Sequence, residues 1–269
     1  MFIKYWKIHT IALVLVVIAE SIGQKKISIG PGVLLFLPLL YALVLGGIIS
    51  WPKLKLVRLE EMNAASAIMG SVVMLFVTKL GTLLGPSLPK LYQAGWAFSL
   101  QELGHFFGTI LLGLPIAILL GMKREAIGAT FSIDREPNIA IISEKYGIDS
   151  AEGRGVMAMY ICGTLFGAIY LGLLAGFLGS INMFHPLALA MGAGVGSGSM
   201  MAAASGAIAA TFPAYAKDIA TFAAASNLLT TVFGIYFGLF VSLPVANKLY
   251  AWLEPIVAKR GAESNEKMD

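Results

Sequence analysis

Glu102 and His105 stand three residues apart in Phe98–Thr109, with Gln101 beside them. On a helix this spacing puts a carboxylate and an imidazole on one face. Facing a cavity, such a pair could bind or relay a proton, because imidazole titrates near neutrality. The same residues would also serve as an interfacial pair near a helix end.

A second cluster is Ser132-Ile133-Asp134-Arg135-Glu136-Pro137-Asn138. Proline suits the first turn of a helix, where its missing N–H would be orphaned anyway. A helix beginning there would point free N–H groups at an anion, and Arg135 could grip a carboxylate through two parallel hydrogen bonds. Asp134 and Glu136 join Glu102 and His105 as candidates to exchange a coupling proton. An ordinary cytoplasmic loop with a solvated salt bridge is the alternative. The third cluster is Gly192-Ala193-Gly194-Val195-Gly196-Ser197-Gly198-Ser199. Each glycine costs a helix about 1 kcal/mol against alanine, so the spacing predicts a helix break. Gly194, Gly196, Ser197, Gly198 and Ser199 would there offer backbone groups and hydroxyls to a ligand or to Na⁺. Close helix packing through small residues is the competing use of such a stretch.

The elements that must position these groups are apolar. The chain has 269 residues, 58% of them apolar and 13% charged, with a mean hydropathy of +0.81. A soluble domain carries roughly a quarter charged residues, so a water-soluble globule is excluded, and so is disorder. The composition predicts an all-α polytopic membrane protein. Expected segments are Lys7–Ile22, Gly32–Ile49 after Gly30-Pro31, Asn63–Leu84, a Lys90–Met122 stretch that breaks near Ser99–Gly104 or enters the membrane obliquely, Ala129–Ser143, Gly155–Gly179, His185–Phe212 and Lys217–Ala246. The apolar run Ile11–Ala19 ends without a small-residue cleavage site, so it is read as a retained first helix.

The two halves carry weakly similar features. Leu114-Pro115-Ile116-Ala117 resembles Leu243-Pro244-Val245-Ala246, and Ile18–Gly23 resembles Ile142–Gly147. The expected organisation is a first membrane repeat over 1–125, a second over 126–250 and a polar tail over 251–269. Inverted repeats with interrupted helices in matching places point to the binding site of a secondary transporter.

The net charge of +4 comes from lysines and arginines set in ones and twos between apolar runs, where they act as topology signals. Nucleic acid is excluded as a partner, since no basic stripe with interleaved aromatics occurs. Cys162 stands alone, so no internal disulfide forms, and no Cys/His spacing calls for a metal or other cofactor. Without an HExxH motif, a GxSxG elbow or a P-loop, an enzyme is not expected.

Gly128–Asn138, Gly153-Arg154-Gly155-Val156-Met157, Gly163-Thr164-Leu165-Phe166-Gly167 and His185–Met191 with the glycine-rich run after it resemble the uncharacterised membrane family called domain of unknown function 3100. The resemblance covers about Gly30–Ala246. More distantly, the order of features is similar to the LrgB/CidB family, although Ser132–Pro137 stands where that family has Lys-Ser-Val-Thr. That departure bars any carry-over of its substrate chemistry. Both resemble bile-acid, arsenite, riboflavin and cation–proton antiporter transporters. This implies two broken helices crossing near the membrane midplane and an elevator-like core moving against a homodimeric scaffold. The expected function is secondary transport of a small organic anion coupled to H⁺ or Na⁺, in the cytoplasmic membrane of a prokaryote. A holin-like channel or export component, or an obligate subunit of a two-protein transporter, is the alternative.

Overall fold

The computed structural model describes residues 5–29, 32–131 and 135–266. In chain order the elements are α1 (Trp6–Ile22), β1 (Lys25–Ile29), β2 (Gly32–Phe36), α2 (Pro38–Ile49), α3 (Leu59–Gln93), α4 (Gly95–Gly108), α5 (Leu114–Leu119), α6 (Glu125–Thr130) and α7 (Arg135–Tyr146). They continue with α8 (Ala151–Cys162), α9 (Ala168–Ser180), α10 (Pro186–Gly194), α11 (Gly198–Thr211), α12 (Ala216–Phe237) and α13 (Leu243–Glu266). The fold is α-helical with one antiparallel hairpin. Among the described residues two helical stretches are long and apolar enough to cross a membrane, Gly95–Leu119 and Pro213–Val257.

Three segments differ from the sequence expectation. The apolar stretch read as beginning at Gly32 opens with β2, paired to β1 from Lys25↔Phe36 to Ile29↔Gly32, and its helix starts only at Pro38. Hydropathy alone does not separate a short apolar strand from a helix, and Pro38 at the first helical position fixes the start. The break expected near Ser99–Gly104 lies instead at Ala94, between α3 and α4. Third, widened π-helical turns occupy Thr109–Gly113, Gly163–Gly167 and Gly238–Ser242. The first and last each lead into a Leu-Pro pair, Leu114-Pro115 and Leu243-Pro244. A proline removes one N–H and its ring clashes with the carbonyl four residues back, and a widened turn relieves both.

The chain forms two compact units. The first comprises Met1–Gln93, Thr164–Gly194 and Gly198–Ser226. Within it α9 packs on α11 and on β2, and α1 on α2. Close approach rests on small residues. A Cβ on Gly172 would sit 3.3 Å from both Ala203 and Leu40, and one on Gly176 would sit 3.2 Å from Leu35. Lys7 pairs with Glu61 at 2.9 Å and Lys90 with Asp218 at 2.8 Å. Glu61 also accepts a 2.7 Å hydrogen bond from the Arg58 N–H. That backbone donor, with Lys7 beside it, holds the Glu61 carboxyl below its ordinary range.

The second unit comprises Ala94–Gly163, Val195–Ser197 and Asn227–Asp269. Its core joins Ile110, Leu114, Ile127, Phe131, Ile142 and Leu243, each fully buried. Here α6 and α8 meet backbone to backbone. A Cβ on Gly128 would collide with the Glu152 carbonyl, and one on Gly155 with the Glu125 carbonyl. The same pair of helices is stitched by two ion pairs, Arg124–Glu152 and Arg154–Glu125. The Arg154 guanidinium, 2.7 Å away, lowers the Glu125 carboxyl below its ordinary range.

Candidate functional site

In the second unit, Glu102, His105, Phe106 and Ile110 are the buried residues of a stripe on α4 and the turn after it. Their i, i+3, i+4 and i+8 spacing makes one face. Glu102 is 9% exposed and His105 is 7% exposed. Glu102 Oε1 accepts a 2.6 Å hydrogen bond from Thr230 Oγ1 and one of 3.2 Å from Gln101 Nε2. His105 Nδ1 lies 3.5 Å from Glu102 Oε2. An ionised Glu102 can only accept, and in that state the ring nitrogen facing it carries the proton. The other ring nitrogen, Nε2, is buried without a hydrogen-bond partner. Beneath the pair, the Phe106 ring stacks on Phe237 at 4.1 Å.

Thr230 belongs to α12, as does Asn227 one turn earlier. Asn227 Nδ2 donates a 2.7 Å hydrogen bond to the Gly196 carbonyl. Gly196 lies in the interruption Val195–Ser197 between α10 and α11. In a helix its carbonyl would accept from an N–H four residues on. Where the helix stops, the side chain of Asn227 takes over that role. One face of α12 therefore holds both the broken helix and the buried Glu102–His105 pair.

The expected site residues fall into three groups. Gly194, Gly196, Ser197, Gly198 and Ser199 flank or form the break where the glycine density placed it. In the first unit, Gly194 seats against α12, where a Cβ would collide with the Ala223 carbonyl and with Ser226. Ser226 Oγ donates to the Met191 carbonyl at 2.8 Å. Glu102 and His105 come together on a helix face as their spacing required. In the polar hairpin, Ser132 and Asp134 lie outside the described residues. Arg135 and Glu136 open α7 with Pro137 in its first turn, and Asn138 is 3% exposed with an unpartnered Oδ1. Thr230 and Asn227 are not among the expected site residues. Their signal is two polar side chains at i and i+3 in an apolar stretch that holds two further polar residues, Ser226 and Thr231.

All four buried side-chain polar atoms found without a partner among the described residues belong to the second unit: His105 Nε2, Thr109 Oγ1, Asn138 Oδ1 and Ser242 Oγ. Thr109 opens one π-helical turn and Ser242 closes another. Leaving such a group unsatisfied costs about 1–3 kcal/mol. Among the described residues no group of three or more His, Cys, Asp or Glu side chains is arranged to hold a metal ion.

The family profile described as "Protein of unknown function (DUF3100)" matches residues 17–252, a span that includes every residue of this network. The chain belongs to the DUF3100 family. Comparisons with curated proteins and with solved structures return no match. The site of this DUF3100 protein combines a buried carboxyl group with three polar partners, an imidazole with one open nitrogen, and an interrupted helix held by a carboxamide.

Proposed function

We propose that this DUF3100 protein is a polytopic membrane carrier, a secondary active transporter of a small organic anion coupled to H⁺ or Na⁺. The observation that carries the reading is the Glu102–His105–Thr230 network tied through α12 to the Gly196 break. Ionisable groups at membrane depth are expensive and serve pathways by default. Helix breaks at such depth persist only where protein or a water-filled cavity satisfies the backbone. Both features on one helix face suit a carrier, which must hold a polar solute and a coupling ion at the same depth.

The matched π-helical turns before Leu114-Pro115 and Leu243-Pro244 support a duplication into repeats over 1–125 and 126–250, followed by the tail 251–269. The substrate's negative charge is assigned to the start of α7. Arg135 would pair with it, Ser132, Asp134, Glu136 and Asn138 would surround it, and the Gly194–Ser199 break would contribute backbone groups. The distant likeness to LrgB/CidB and to bile-acid-type transporters belongs to the same proposal. So do the homodimer, the elevator-like alternating access, and the lipid bilayer of a prokaryotic cytoplasmic membrane.

The test is reconstitution in proteoliposomes with counterflow of mono- and dicarboxylates, sugar acids and amino acids. Saturable, trans-stimulated uptake that is lost in Arg135→Ala while the protein stays folded supports the carrier. Flux that does not saturate would replace it with a channel. Undiminished uptake in Arg135→Ala would remove the anion assignment.

A further inference from the structure

The network at Glu102 discriminates between the two coupling ions. We infer that the coupling ion is a proton, shared by Glu102 and His105 and admitted at His105 Nε2. The inference rests on the carrier reading above and names the ion that its site takes.

A carboxylate offers about four lone-pair positions, all acceptors. Three donors face those of Glu102: the Thr230 hydroxyl, the Gln101 amide and the His105 ring N–H. A hard cation needs several oxygens with lone pairs turned toward it. At Glu102, Oε1 is met by two donors and Oε2 faces the imidazole, so few lone pairs are left for a cation.

The His105 side chain is 1% exposed, with Nδ1 turned to Glu102 and Nε2 unpartnered. With Nδ1 protonated, Nε2 carries a lone pair, which makes it the point of entry. Thr109 lies one helical turn along the same face, and its Oγ1 is likewise buried and unpartnered. The Gly238–Ser242 turn packs against α4 and brings the unpartnered Ser242 Oγ. Hydroxyls both accept and donate, so they can pass a proton or anchor ordered water that does so.

The charge balance is simple. Unloaded, the pair is a carboxylate with a neutral imidazole, net −1. Loaded, it is carboxylate–imidazolium or acid–imidazole, net zero, with one proton gained and no electron moved. Removing the net charge removes the cost of a buried ion, so the loaded state crosses an apolar environment more readily. Little else competes for the proton. The turns Thr109–Gly113 and Gly238–Ser242 carry no titratable side chain, the break Val195–Ser197 carries none, and α12 from Asn227 onward contributes only the exposed Tyr236. Glu102 is the charged group facing the imidazole.

The test needs no substrate, so it fails separately from the transport reading. Full-length protein in lipid nanodiscs is unfolded thermally across a pH series, and again with Na⁺ exchanged for choline at constant ionic strength. The slope of stability against pH counts the protons exchanged on unfolding. The expected result is that Glu102→Gln and His105→Asn each change this slope, while Na⁺ moves the Tm of neither the wild type nor the variants. Nitrogen-15 spectra of the histidine rings, assigned with His9→Gln and His185→Gln, should show His105 above neutrality protonated on Nδ1 alone. Should Glu102→Gln not fold, Thr230→Val keeps the carboxylate and removes one donor, and it should change the slope without creating a response to Na⁺. A Na⁺-dependent rise in Tm that disappears with Glu102→Gln would overturn the proposal. So would pH profiles identical among all variants, or a His105 ring protonated on Nε2 alone.

Discussion

Thr230 donates a 2.6 Å hydrogen bond to Glu102 across 128 residues of sequence. It is a short contact to a charged acceptor, and both partners are buried. Around it the second unit assembles His105 on one side of the carboxylate, and Asn227 with the Gly196 carbonyl one turn back along α12.

Thr230→Val should cost about 1.5–3 kcal/mol, the worth of a hydrogen bond to a charged group. Thr230→Ser, which keeps the hydroxyl, should recover most of it. Chemical unfolding in detergent measures both. Equal losses for valine and serine would mean that packing rather than the hydrogen bond is at stake.

Asn227→Leu preserves bulk but strips the donor from the Gly196 carbonyl. Amide exchange at positions 195–199 should then accelerate, while exchange in α6 and α8 stays as in the wild type. If the break exchanges no faster, Asn227 does not hold it.

Two glycines of α10 should respond with opposite sign. Gly192 has open space where a Cβ would go, so Gly192→Ala should stabilise by up to about 1 kcal/mol through its better helix propensity. At Gly194 a Cβ meets the Ala223 carbonyl and Ser226, and overpacking of this kind typically costs about 1–3 kcal/mol. Thermal unfolding of the two single variants, side by side, decides it.

The two arginines joining α6 and α8 should differ in weight. Glu152 is 4% exposed and accepts from Arg124 Nε at 2.7 Å, so Arg124→Ala leaves a buried carboxylate without its counter-charge. Breaking a buried pair costs about 3–5 kcal/mol, and the half-exposed Arg124 end places this one toward the lower figure. Arg154→Ala, whose partner Glu125 is solvent-accessible, should cost clearly less. A larger loss for Arg154→Ala would reverse the ranking.

Acid should loosen two contacts together. Glu61 and Glu125 are held below the ordinary carboxylate range by Arg58 and Lys7 and by Arg154 respectively. A carboxyl lowered in the folded state stabilises the fold above its unfolded value, about 4.3. That contribution fades as pH falls through the folded value. The Tm should therefore drop on acidification below about 4.3, and more shallowly in a Glu61→Gln, Glu125→Gln double variant. Parallel pH profiles for the double variant and the wild type would assign the acid loss elsewhere.

Much of this architecture was legible in the residues. The Val195–Ser197 interruption follows from glycine density, and the α7 start beside Pro137 follows from a missing N–H. The common face of Glu102 and His105 follows from helical spacing. Each is a local consequence of backbone entropy or periodicity within a few residues. The two helical stretches long and apolar enough to cross a membrane follow from the scarcity of charge.

Only the fold decided the rest. Thr230 and Asn227 became the partners of Glu102 and Gly196 because α12 passes beside both, across 128 and 31 residues of chain. The β1–β2 hairpin depends on Gly176 leaving room for Leu35, and on Gly32 lying where any Cβ would strike Phe177. The unpartnered His105 Nε2 depends on which groups pack over it. Propensity and spacing act along the chain, whereas hydrogen-bond partners and space for a side chain are set by segments that meet only after folding.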